Sequence, residues 1–431
     1  DVLTAVNVFS QGNFKQKNLT SMGLDPVQER EALTLISLLR IASGLNETRS
    51  QSTAIQQTEV SKEMIWIVVD GPEASVDAVA GQYNAALWEK VGYPEIKILE
   101  SSEAQKEILP YPEPVEVSGV LAEDSMADAG LKVFRFHFAN MLAHEPGTRS
   151  GENVEDLHKM RVATRRMRAA FIVFEDAFQI KYVRPYLKGL RMTGQMLGRV
   201  RDWDVLIDNA GRYTENLPEE QKPDMVPLMD AWIAAREDNR DRLCSFLDSE
   251  EYTEFRRTFN LFLNNPGPGV LPVPDNRPIP SRVKELAPVL IYDRLAEVRA
   301  FEPLLVDASI ETLHALRIEI KRLRYTVEFF QDILGSDVGS IIDQMKSMQD
   351  HLGELNDDQI AAQKIAQFLE DWDIDQEQLP ISERRNPETI VSYMAYNHSE
   401  LHRLTATFKD VWAAFNQEEF RRKLALAISV L

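Results

Sequence analysis

The sequence predicts a mainly α-helical protein in which a small α+β unit precedes two helical halves related by an internal repeat. Three observations predict it. From about Leu121 onward, apolar residues recur at helical spacing almost without interruption. Two stretches of that region, LHKMRVATRRMRAAF (Leu157 to Phe171) and LHALRIEIKRLRYTV (Leu313 to Val327), match nearly position for position. The first hundred residues instead alternate helix-like and strand-like segments.

In chain order, DPVQEREALTLISLLRIASGLN (Asp25 to Asn46) opens with an Asp cap and Pro at the first helical position, then repeats apolar residues at helical spacing. EMIWIVVDGPE follows as a strand ending in a turn, ASVDAVAGQYNAALWEKVG as a helix and EIKILES as a second strand. This α+β unit occupies residues 1–107. The Pro-rich, acidic ILPYPEPVEVSG, within 108–120, is a linker. Two helical bundles at 121–263 and 282–431 then flank NNPGPGVLPVPDNRPIPS (264–281), whose prolines and glycines preclude a regular helix.

The repeat is dense. Aligning His158 with His314 also aligns Leu157 with Leu313, Arg161 with Arg317, Arg165 with Lys321, Arg166 with Arg322 and Arg168 with Arg324. Downstream, LGRVRDWD (Leu197 to Asp204) matches LGELNDDQ (Leu352 to Gln359) with one residue of slippage. On a helix, His158, Arg161, Arg165 and Arg168 share about one quarter of the circumference, with Met160, Ala163, Met167, Ala170, Phe171 and Phe174 opposite. His314, Arg317, Lys321 and Arg324 form the second stripe, opposed by Leu316, Ile320, Leu323, Val327 and Phe330. Each helix thus buries one face and shows a row of cations on the other.

That row stands out against the bulk charge. The chain carries 48 Lys and Arg against 68 Asp and Glu, a formal net charge of -20. Like charges at i,i+3 and i,i+4 cost an isolated helix roughly 0.2–0.5 kcal/mol per pair, and a solvated face usually intersperses carboxylates. The first stripe has none and in the second Glu319 lies off the row. A solvated face explains one such helix better than two at matching positions. Lys188, Arg191, Arg199, Arg201 and Lys346 are candidates to join a shared groove, with Arg135, Arg282 and Arg294 on neighbouring predicted helices. Cations one helical turn apart, about 5 Å, suit an extended polyanion, which Arg grips in bidentate fashion and Lys meets as a point charge. The two histidines are either direct phosphate ligands or structural.

Composition excludes other classes. An acidic chain argues against a general nucleic-acid binder, and no aromatic-interleaved basic surface invites base stacking. No apolar run approaches the ~20 residues that span a bilayer, and DVLTAVNVF lacks the basic region of a signal peptide. A lone cysteine, Cys244, precludes an internal disulfide and reads as a packed thiol in a reducing, cytoplasmic compartment. Zincin, paired-cysteine and P-loop patterns are absent, SLLRIASG contains no nucleophile elbow, and no cofactor or metal is expected. Asp202, Asp204, Asp357 and Asp358 are weak metal candidates, better read as helix caps and orienters of arginine.

On the duplicated H-x-x-R-x-x-x-[RK]-R-x-R pattern together with LGRVRDWD and LGELNDD, the chain from about Leu121 to Leu431 resembles the conserved histidine α-helical domain, CHAD. The resemblance implies duplicated antiparallel helical bundles with pseudo-two-fold symmetry around a basic groove that binds inorganic polyphosphate. It maps binding residues onto His158, Arg161, Arg165, Arg166 and Arg168, and onto His314, Arg317, Lys321, Arg322 and Arg324. The chain departs from it where Glu354 and Asn356 stand opposite Arg199 and Arg201. Polyphosphate granules and polyphosphate-metabolising enzymes are the partners it implies.

The N-terminal unit is similar, over about Leu24 to Leu99, to the C-terminal end of the exopolyphosphatase/guanosine pentaphosphate phosphatase family. EREALTLISLLRIASGLNETRSQ, EMIWIVVDGP and YPEIKIL carry that likeness, largely through hydrophobic patterning. VFSQGNFKQKN lacks the histidine-rich stretch often found in that family's helical domains, and its actin-like catalytic domains have no counterpart here. The leading expectation is a non-catalytic polyphosphate binder. The alternatives are part or partner of a phosphatase whose catalytic domain lies elsewhere, and a nucleic-acid binder.

Overall fold

The computed structural model describes residues 2–9, 19, 22–60, 64–100, 110–264, 266–272 and 280–431, which fall into two compact units, Asp1–Pro110 and Tyr111–Leu431. Residues 10–18 of the VFSQGNFKQKN stretch, 108–109 of the linker, and 265 and 273–279 of the Pro/Gly connection lie outside the described residues.

In the first unit, helix α1 (Val2–Phe9) precedes α2 (Pro26–Gly44). The Asp25 carboxylate accepts from the backbone N–H groups of Val27 and Gln28, both at 2.9 Å, while the Gln28 side chain accepts from the Asp25 N–H at 3.2 Å. This reciprocal cap fixes the helix start. Strand β2 (Met64–Asp70) leads through α3 (Ala74–Asn84) to β3 (Glu95–Glu100), which pairs parallel to it. The sheet has a further strand that hydropathy did not reveal: β1 (Ala54–Val60), antiparallel to β2 at the sheet edge. Its AIQQTEV sequence lacks an apolar face, because an edge strand can leave its side chains to water.

The helical unit runs α4 (Met126–Ala143), α5 (Glu145–Ser150), α6 (Val154–Val173), α7 (Ile180–Glu215), α8 (Val226–Leu247) and α9 (Glu250–Asn264). The second half follows as α10 (Val283–Arg299), α11 (Ile310–Phe329), α12 (Val338–Glu377), α13 (Glu388–Phe415) and α14 (Glu418–Ile428). The basic stretches are α6 and α11. Asn153 caps the first by accepting from the Glu155 N–H at 2.9 Å, and Ser309 caps the second by accepting from the Thr312 N–H at 3.2 Å. Their apolar faces are buried as the periodicity predicts: Met160, Met167, Ala170, Leu316, Ile320 and Leu323 have no exposure. Each large side chain so buried stabilises by about 1.5–3 kcal/mol.

The two halves share one continuous hydrophobic core rather than holding one each. At its centre Phe174 and Phe330, which end the two basic helices and occupy equivalent repeat positions, meet edge to face with ring centroids 5.8 Å apart. A residue touching its own repeat counterpart marks a local pseudo-two-fold axis. A second, smaller core joins the far ends of the long helices α7 and α12 to α8 and α13. Where described, the connection between halves carries a 3-10 turn (Gly267–Gly269) and an isolated bridge from Phe178 to Val270. No helix of the described residues is long and apolar enough to cross a membrane.

Candidate functional site

Helices α6 and α11 pack against each other and bring their cation rows together across the pseudo-two-fold axis. Lys321 is half-buried under the charges of Arg317, Arg165, Arg161 and Arg324. Arg161 acts on Lys321 as its counterpart Arg317 acts on Arg165, the reciprocal pattern that two-fold packing produces. Burial first, and then those four cations, brings the Lys321 ammonium down to about 7. Arg165 suffers the same burial, with its guanidinium 5.7 Å from the centre of the Tyr325 ring.

Around this centre the cations divide by partner. Arg165, Arg168, Arg191, Arg201, Arg317 and Lys321 make no ion pair among the described residues. Arg168 and Arg191 lie within reach of each other's charge and, with Arg165, Lys321, Arg322 and Tyr325, line a cleft of about 570 Å³ whose wall also carries Glu175 and Asp176. At the other end Arg201 and Arg161 act on His158. The result is a ribbon of positive charge from Arg201, past the helix crossing, to Arg191.

Three of the expected ligands already hold carboxylates. Glu328 takes Arg166 Nη2 at 2.8 Å through one oxygen and Arg324 Nη1 at 3.0 Å through the other, tying the first half to the second. Both guanidiniums also flank Tyr325, at 5.9 and 5.1 Å from its ring centre. Arg322 is held by Glu319 at 2.6 Å. Arg166 and Arg324 therefore stand beside the ribbon with a carboxylate shared between them.

The LG pairs of the repeat act on the ribbon too. Arg161 lies across Gly198, its Nε 3.6 Å from where a side chain would begin, and Arg317 lies across Gly353 at 3.8 Å. Asp202 reaches Arg161 at 3.5 Å, and its counterpart Asp357 acts on Arg317. Asp202, Asp204, Asp357 and Asp358 sit within the long helices α7 and α12, so the expected capping role fails: there are no free N–H groups in mid-helix to cap. The orienting role holds for Asp202 and for Asp204, which takes Arg236 Nε at 2.6 Å.

The CHAD domain family model matches residues 132–366, more than half of the chain and a span containing both basic helices. The chain belongs to the CHAD domain family. Among solved structures, the CHAD domain from the plant Ricinus communis aligns with a TM-score of 0.50 at 18% identity, covering 75% of this chain and 98% of that one. PptA from Streptomyces chartreusis aligns with a TM-score of 0.51 at 15% identity, covering 67% of this chain and all of that one. At such identities these likenesses speak for the fold alone. No curated protein sequence matches.

Within the CHAD helices the two repeat-equivalent histidines differ. His158 is half-buried, its Nδ1 has no hydrogen-bond partner among the described residues, and burial followed by Arg201 pushes its pKa below the usual imidazole range. His314 is exposed and its Nδ1 lies 3.1 Å from Asn356 Oδ1. The other candidates have contacts of their own. Lys188 reaches Glu251 at 3.4 Å, Lys346 reaches Asp343 at 3.2 Å and Arg199 extends along Met196. Arg135 donates to the Leu263 carbonyl, Arg282 pairs with Glu123 and Arg294 with Glu297. Tyr325 and Glu328 are the residues sequence reasoning missed. Glu328 is four residues from Arg324, a spacing that itself signals a helix ion pair.

Proposed function

We propose that this CHAD chain binds inorganic polyphosphate without hydrolysing it, along the ribbon of cations that runs over the crossing of α6 and α11. One observation carries the reading: in a chain of net charge -20, cations from both halves converge on a helix crossing where, among the described residues, no carboxylate forms an ion pair with Arg165, Arg317 or Lys321, Asp357 acting on Arg317 only from a distance. Such crowding costs stability in the free protein, and an arriving polyanion relieves it. A regular chain of phosphates suits a ribbon better than one compact anion does, because each added phosphate meets a further cation. His158, Arg161 and Arg201 extend the same surface, which reaches polyphosphate granules as its natural assembly in the cytoplasm.

The test is titration of the full chain with long-chain polyphosphate at low and high salt, with RNA as competitor and phosphate release followed in parallel. Tight, salt-sensitive binding that RNA does not displace, without phosphate release, is the expected result. Absence of binding at low salt refutes the reading, and release of phosphate turns it into an enzymatic one.

A further inference from the structure

A second cleft, of about 1270 Å³, opens among α7, α8, α12 and α13 and takes in Arg201 at the end of the cation ribbon. Its arginines are mostly spoken for: Arg212 pairs with Asp208 at 3.2 Å, Arg236 with Asp204 at 2.6 Å and Arg403 with Glu400 at 2.7 Å. Of its lining carboxylates, Glu354 and Asp358, both on α12, make no ion pair or hydrogen bond among the described residues. Arg201, at the end of the ribbon, lines the cleft without an ion pair among the described residues, so the unfilled acceptors are those of Glu354 and Asp358 on the α12 side.

Two buried groups on its lining, independent of that acidic pair, have the same need. The Asp204 side chain is 3% exposed; one oxygen holds Arg236 and the other, Oδ2, has no hydrogen-bond partner among the described residues. Tyr393 is 1% exposed, and its hydroxyl, near the Asn397 amide, has no partner at full hydrogen-bond geometry among the described residues. Leaving a buried polar atom unsatisfied costs about 1–3 kcal/mol, so each is a position where a ligand donor gains. Tyr213 completes an aromatic wall, its ring 4.6 Å from that of Tyr393 and 5.2 Å from that of Tyr396.

We propose that this cleft is a binding site for an organic polyamine, with ammonium groups donating to Glu354, Asp358 and Asp204 and methylenes lying on the tyrosine wall. Spread carboxylates match charges that a flexible chain carries several ångströms apart. A single divalent ion suits them less well, since among the described residues no three His, Cys, Asp or Glu side chains are placed to share one. Burial, then Glu400, Asp357 and Glu354, raise the Asp358 carboxyl to about 6 against the pull of Arg403, so an ammonium at that position relieves existing repulsion. The site stands whether or not the ribbon binds polyphosphate.

Calorimetric titration of the full chain with spermidine at about 0.15 M salt, without polyphosphate, tests it. One saturable site is expected, weakened at least tenfold in the double variant Glu354→Gln/Asp358→Asn and several-fold in Tyr393→Phe. The double variant removes like-charge repulsion and is expected to fold at least as well as the parent; circular dichroism checks this. An Arg165→Met/Lys321→Met variant leaves spermidine affinity unchanged. The proposal is overturned by absence of saturable binding, by equal affinity in the double variant, or by displacement with equimolar magnesium, which marks counterion association with an acidic chain.

Discussion

Lys321 faces Arg165, its own counterpart in the other repeat, across the crossing of the two basic helices. With its ammonium brought down to about 7, Lys321 is only partly charged in the free protein at neutral pH. A bound polyanion restores the full charge. Below about pH 7 binding therefore needs no added proton; above it each binding event takes one up, and affinity falls as pH rises. Calorimetry near pH 8 in two buffers of different protonation heat is expected to report this uptake, and Lys321→Arg to abolish it. A flat affinity from pH 6 to 8.5 counts against the assignment. The same shift acts on stability with a definite sign. Because the folded pKa lies below the unfolded value of about 10.4, the unfolded chain holds more protons between them, and this contribution to stability rises with pH across that window.

Arg165→Met/Lys321→Met separates binding from folding. The exchange removes mutually repelling, half-buried cations and leaves side chains that pack, so the melting temperature is expected to rise. Polyphosphate binding is expected to fall sharply, and the slope of log K against log salt to shrink by about 0.7 per cation lost, by analogy with single-stranded nucleic acids. Unchanged affinity returns the ribbon to a solvated surface.

Glu328→Gln has the opposite character. It leaves Arg166 and Arg324 without their shared carboxylate in a largely buried position, where breaking an ion pair costs roughly 3 kcal/mol. Denaturant unfolding is expected to show that loss. If stability holds and only binding changes, Glu328 acts on the ligand instead of on its two arginines.

Phe174→Ala opens a cavity at the seam and is expected to cost about 3–5 kcal/mol. Because the ring belongs to both halves, hydrogen exchange is expected to quicken in α6 and α11 together. Acceleration confined to α6 indicates that the halves keep separate cores.

The sequence carried the helices, the repeat and the buried faces of α6 and α11 because periodicity and caps are local signals, and those helices bury the residues that periodicity assigned to the core. Local signals did not reveal which cations meet a ligand and which meet a carboxylate. Arg166 finds Glu328 across 162 positions of chain, so its engagement depends on how the halves dock. The histidines carry the same lesson: identical repeat positions, but one beside Arg201 and the other beside Asn356. Strand β1 escaped notice because only its pairing with β2, and no apolar face, defines it.

The meeting of Phe174 with Phe330 also bears on how such a chain arises. A contact between equivalent residues across a two-fold axis needs no tether: a half-length ancestor bearing one such ring could have met a second copy of itself in the same way. Duplication and fusion would keep that contact while freeing each copy to drift separately. Glu354 and Asn356, standing where the first half has Arg199 and Arg201, are the kind of divergence a homodimer of identical chains cannot acquire on one side only.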